Sequence, residues 1–130
     1  MSETKRRKSV LIIDDSKAIR MQVRATLEEA GYDVVEACDG QAGVDALEVA
    51  PSLAMVLCDL NMPRMGGLEF LDRCQRSERL PRLPVVMLTT DCAPEEIMKA
   101  KSLGARGWIV KPFQADRLVA TVRWIAGEPG

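Results

Sequence analysis

The stretch MVLCDLNMPRMGG, residues 55–67, runs four apolar side chains, Met55 to Cys58, straight into a carboxylate, Asp59. Asn61, Pro63 and the Gly66–Gly67 pair follow at once. A run that is apolar at every position, rather than at every second one, fits a strand buried on both faces of a sheet. Asn, Pro and paired Gly fit the turn that ends it. The acid at its tip is either a turn former or a chemical group, and the rest of the chain decides between them.

Working outward, short apolar runs alternate with longer amphipathic ones. SVLIID (9–14), YDVVEA (32–37), LAMVLCD (53–59), LPVVMLTT (83–90) and GWIVK (107–111) read as strands. Residues 16–31, 40–50, 67–78, 93–105 and 114–127 read as helices. In the first of these, Ile19, Val23, Leu27 and Ala30 recur at helical spacing, Ser16 is an N-cap and Gly31 a stop. Pro51 ends the second helix, Pro94 falls in the first turn of the fourth, and Gly104 ends it. In the fifth, Leu118, Val122 and Ile125 form the inward stripe, leaving Trp124 with Arg117 and Thr121 on the opposite side. Five buried strands alternating with five helices predict an α/β domain with a parallel sheet covered on both faces. Residues 9–127 form that domain, between a flexible basic N-terminal tail, 1–8, and a short C-terminal tail, 128–130.

Composition agrees and narrows the chemistry. A chain of 130 residues buries roughly 65–70% of its unfolded surface and needs no metal or disulfide to fold. Net charge is −1, but Lys5, Arg6, Arg7 and Lys8 face only Glu3 in the first eight residues, so the domain itself is negative. That speaks against a nucleic-acid footprint. Cys38, Cys58, Cys74 and Cys92 form no C-x-x-C motif, so reduced thiols are expected. No apolar run approaches the roughly 18 residues of a membrane helix, and no apolar segment follows the basic start as in a secretory signal. A cytoplasmic protein without nucleic-acid or membrane partners is expected. The absence of histidine removes Ser-His-Asp and Cys-His nucleophiles, H-E-x-x-H metal sites and phosphohistidine chemistry on this chain.

In open parallel sheets the functional crevice lies outside the carboxyl ends of the strands. Strand one ends in Asp14–Asp15, strand three in Asp59, strand four in Thr89–Thr90 and strand five in Lys111–Pro112, while strand two ends in nothing notable. Two carboxylates about 5 Å apart repel by roughly 3 kcal/mol at an effective dielectric near 20. Three together are tolerable if a cation joins them, and oxygen ligands with open positions suit Mg²⁺. Carboxylates, Mg²⁺, a lysine and a hydroxyl are the parts that hold a phosphoryl group. A carboxylate can itself accept it as an aspartyl-phosphate.

LIIDDS, VLCDLNMPRMGG, VVMLTT and GARGWIVKPF, taken in order, resemble the receiver domain of two-component response regulators, most closely its stand-alone, CheY-like members. The resemblance spans residues 9 to about 126. It implies a flavodoxin/CheY-like (βα)5 fold with strand order 2-1-3-4-5. It assigns Asp59 as phosphoacceptor, Asp15 as a direct Mg²⁺ ligand, Asp14 as one acting largely through water, and Asn61 as a backbone-carbonyl ligand. Thr89 becomes the hydroxyl that bonds the phosphoryl group and Lys111 the lysine that pairs with it, ahead of a cis Lys111–Pro112 peptide. The donor is a phosphohistidine on a sensor histidine kinase or phosphotransfer protein, or an acyl phosphate. Output goes through a protein target, such as a flagellar motor component or another signalling protein, with a phosphatase as a further partner. Such a chain assists its own phosphorylation and dephosphorylation without being an enzyme in the ordinary sense.

Three positions depart from the pattern or extend it. Trp108 stands where the family has Tyr or Phe, so it either signals differently or is held out as a fixed contact. Thr90 stands where a smaller residue is common, bordering the path of attacking water. Trp124, with Trp108, is expected on a partner face built from helix four, strand five and helix five. A receiver-shaped module that is never phosphorylated is the alternative reading. A haloacid-dehalogenase-like phosphatase, the third, expects an aspartate where Asn61 stands.

Overall fold

A computed structural model describes residues 7–50, 52–78, 80, 82–90 and 93–130. Strands β1 (Ser9–Ile13), β2 (Asp33–Ala37), β3 (Leu53–Asp59), β4 (Val85–Thr89) and β5 (Gly107–Val110) alternate with helices α1 (Lys17–Glu29), α2 (Gly40–Val49), α3 (Gly67–Arg76), α4 (Pro94–Ser102) and α5 (Ala115–Ala126). The strands pair in parallel in the order β2-β1-β3-β4-β5, as the family resemblance implies.

The local signals act where they were read. The Ser16 hydroxyl accepts the Ile19 N–H at 3.2 Å and starts α1. Gly31, at φ +105°, turns the chain out of α1 through the left-handed region that lacks a penalty only for glycine. Pro94 opens α4, where its missing N–H is no loss. Element ends shift by a residue or a few, and LPVVMLTT enters the ladder only at Val85, because Pro84 has no amide proton to give. Pro51 and Cys92 lie outside the described residues, while Cys38, Cys58 and Cys74 are free thiols.

Strand alternation sorts the apolar residues into two layers. Leu11, Ile13, Val56, Cys58, Val85 and Met87 face Val44 and Leu47 of α2, Phe70 and Leu71 of α3 and Ala100 of α4. Val10, Ile12, Met55, Leu57, Val86 and Leu88 face Val23 and Leu27 of α1 and Leu118 and Val122 of α5. Both faces of the sheet are therefore closed, which is why its strands are apolar throughout.

Arg7 and Lys8 are part of the fold: Arg7 Nε donates to the Gly31 carbonyl at 2.6 Å, and Lys8 Nζ to the Ala126 carbonyl at 2.8 Å. Lys8 N–H also reaches the Pro129 carbonyl at 2.8 Å. Both cations sit at helix C-termini, where unpaired carbonyls favour positive charge. Residues 1–6 lie outside the described residues.

Candidate functional site

β1 and β3 are neighbours, and each ends in acid. Asp14 is fully buried and Asp59 is 7% exposed, while Asp15 is exposed. One carboxylate oxygen from each of Asp14, Asp15 and Asp59 lies within 4.8 Å of the others. Asp14 and Asp59 continue the rows of Ile12 and Leu57, and Lys111 continues that of Ile109, all on the α1/α5 face. This shared parity brings Lys111 Nζ to 2.7 Å from Asp14 Oδ2 and 3.3 Å from Asp59 Oδ1. The Lys111–Pro112 peptide is cis, as expected.

Asp14 is held from several sides. Its Oδ1 accepts the Ser16 N–H at 2.8 Å, and its carbonyl accepts Arg20 Nη1 at 2.6 Å. Arg20 is itself fixed by Glu36, at 3.0 Å. Asp59 Oδ1 faces the Asn61 N–H at 3.5 Å, at the start of the turn. Gly67 lets that turn close: a Cβ there would come within 2.6 Å of the Asp59 carbonyl and of the Met87 methyl.

Burial, then the neighbouring Asp14 charge, push the Asp59 carboxyl above the usual aspartate range against the pull of Lys111. Burial opposes the charge on Lys111, but the Asp14 hydrogen bond and both carboxylate charges outweigh it and hold its pKa up. Burial, then Asp59, push the Cys58 thiol well above its ordinary value, so it is a neutral packing group beside the acid. Three carboxylates against one ammonium leave an excess of negative charge on converging oxygens. That donor set fits a hard divalent cation such as Mg²⁺.

Thr89 ends β4 buried, and its carbonyl accepts the Lys111 N–H at 2.8 Å. It continues the row of Val85 and Met87, the opposite face from Asp59. Trp108 pairs with Met87 and packs half-buried on that same face, with Lys101 Nζ 5.2 Å from its ring centroid. Thr90 is exposed beyond the ladder, and Trp124 is 82% exposed on α5.

The reading that β2 ends in nothing notable is wrong. Asp39 follows it, only 5% exposed, and caps α2 through the Ala42 N–H at 2.9 Å. Its other oxygen pairs with Arg64 Nε at 2.8 Å, and the adjacent Gly40 N–H donates to the Met65 carbonyl at 3.0 Å. The turn after Asp59 is thereby clamped to the start of α2. The Asp-Gly before a helical run carried the cap signal; the ion pair to Arg64, 25 residues on, had none.

A doubly wound parallel sheet in this order, with an acid cluster and a lysine at its carboxyl edge, defines the receiver class of α/β domain. The chain belongs to the response regulator receiver domain family, whose model matches residues 10–123. Among its relatives, chemotaxis protein CheY1 of Helicobacter pylori is 31% identical over 119 residues, 91% of this chain and 96% of that protein. The DNA-binding dual master transcriptional regulator RpaA of Synechocystis is 38% identical over 114 residues, 88% of this chain and 47% of that longer protein. The solved structure of Vibrio cholerae chemotaxis protein CheY4 superposes with a TM-score of 0.84 at 37% identity, covering 91% of this chain and 98% of that one. A response regulator receiver protein from Pseudomonas putida gives a TM-score of 0.86 at 25% identity, covering 93% and 99%. Among the described residues no helix is long and apolar enough to cross a membrane.

Proposed function

We propose that this protein is a single-domain response regulator of the cytoplasm that accepts a phosphoryl group on Asp59. The observation that carries the reading is the placement of Lys111 between Asp14 and Asp59 within the three-carboxylate cluster. An Asp59 oxygen forms the new bond to phosphorus as the bond from phosphorus to the donor breaks. The donor is a phosphohistidine of a sensor kinase or phosphotransfer protein, or an acyl phosphate, and its imidazole or carboxylate leaves. Lys111 balances the charge that gathers on Asp59 and the phosphoryl oxygens, and Thr89, at the end of β4, would turn its hydroxyl to one of them. Asp14, Asp15, Asp59 and the Asn61 carbonyl would hold Mg²⁺, which supplies positive charge to the phosphoryl oxygens.

Signalling then passes through α4, β5 and α5. Three of the exposed large apolar side chains, Met98 at 70%, Val110 at 48% and Trp124 at 82%, lie on these elements. Thr89 and Trp108 share one face of the sheet, which supports a coupling between the phosphoryl group and that surface. Similarity to CheY proteins favours chemotaxis or a phosphorelay as the pathway, with a kinase, a protein target and a phosphatase as partners. If alanine at both Trp108 and Trp124 leaves kinase and target binding unchanged, the partner face lies elsewhere. Thr90 is exposed beside the site and slows loss of the phosphate; an unchanged half-life in Thr90→Ala would remove that role.

Intact mass after acyl phosphate and Mg²⁺ tests the chemistry. A single adduct on wild type, lost in Asp59→Asn, is the expected result. No adduct on wild type would leave an unphosphorylated interaction module as the better reading.

A further inference from the structure

At the edge of the sheet where the strands begin, opposite Asp59, lies a cavity of about 180 Å³. Its walls are Leu47, Val56, Leu71, Leu83, Val85 and Leu103. Cys74 lines it too, and burial pushes that thiol up to about 11, so the wall carries no charge at neutral pH. The C-terminal ends of α3 and α4 meet beside it, tied by the Gln75 side-chain amide donating to the Leu103 carbonyl.

Gln75, Gly104 and two arginines complete the lining. Arg82 and Arg106 both border the cavity and both are exposed, while among the described residues no carboxylate lines it. Arg82 makes a long contact, Nη2 to the Gln75 carbonyl at 3.5 Å. The Arg106 guanidinium has no hydrogen bond or ion pair among the described residues. Arginines near helix C-termini complement the helix dipole. That accounts for their charge but not for the open volume beside them, since protein interiors are as a rule closely packed.

The geometry points to a binding site for a small organic anion: a compact apolar body in the cavity and one carboxylate on Arg82 and Arg106. A guanidinium matches a planar carboxylate with two parallel N–H donors. An apolar cavity of about 150 Å³ accepts a benzene-sized molecule. A single ring with a short acidic arm therefore fits this one. The site does not depend on phosphorylation of Asp59.

Methyl NMR of the full chain titrated with 3-phenylpropanoate tests it. Saturable shifts at Leu71, Leu83 and Leu103 are expected, with 3-phenylpropanol and inorganic phosphate each binding about tenfold more weakly or worse. Arg106→Gln, an exposed change that leaves the urea midpoint in place, weakens the acid by about tenfold. Cys74→Phe fills the cavity and abolishes binding; Arg106→Gln carries the test if that variant does not fold. No saturable shift on the folded wild type, equal affinity for the alcohol, or equal affinity for phosphate would overturn the proposal.

Discussion

Lys111 is the residue on which the acid edge balances. Its ammonium touches Asp14 and Asp59, and both carboxylates are otherwise buried among apolar strands. Replacing it with methionine keeps the length and removes the charge. Adduct formation on Asp59 from acyl phosphate is expected to fall about hundredfold, the scale of losing one preorganised stabilising group. Initial rates by intact mass check this, and a rate within twofold of wild type would take Lys111 out of the chemistry. Arg20 and Ser16 act on the same cluster indirectly, by fixing the backbone and side chain of Asp14.

At the scale of elements, α2 depends on Asp39. Asp39→Ala removes the bond to Ala42 and strands Arg64, and should cost about 1–2 kcal/mol in urea denaturation at neutral pH. The Ala42 N–H and then the Arg64 charge, against burial, hold the Asp39 carboxyl below its ordinary value. A depressed folded pKa means the stabilisation is complete above the unfolded value near 4 and is lost as pH falls through the lower folded one. The gap between wild type and Asp39→Ala should therefore narrow below about pH 4; a gap constant with pH would contradict it. Along α5 the two faces separate cleanly. Leu118, fully buried against α1 and the sheet, should cost about 2–5 kcal/mol as alanine. Trp124→Ala, six residues on and exposed, should stay within about 0.5 kcal/mol.

Across the whole molecule, two devices join distant parts of the chain. The first straps the termini: the buried Tyr32 hydroxyl donates to the Gly127 carbonyl at 2.6 Å, beside the Lys8 bonds to Ala126 and Pro129. Tyr32→Phe should cost about 1 kcal/mol and speed amide exchange at Lys8; unchanged exchange would show that the strap holds without the hydroxyl. The second is the acid edge itself, drawn from both ends of the sequence and linked to folding. A divalent cation bound there only in the folded state should raise the melting temperature by about 5 °C at tenfold its dissociation constant. Calorimetry with and without Mg²⁺ reads this, and the shift should vanish in Asp59→Asn.

By itself the sequence determined the elements and the chemistry waiting at the strand ends. Apolar periodicity and capping residues such as Ser16 and Gly31 act within a few residues, so they are legible without a fold. The strand-end acids could be grouped too, because parallel strands must present their carboxyl ends at one edge. Only the tertiary structure decided that Asp39 is buried against Arg64, that Arg7 and Lys8 bind helix ends, and that Thr89 shares its face with Trp108 rather than with Asp59. It alone decided that a cavity opens where α3 and α4 end. Each of these depends on how strands and helices distant in sequence are set against one another, and burial and long-range pairing follow from that placement rather than from local spacing.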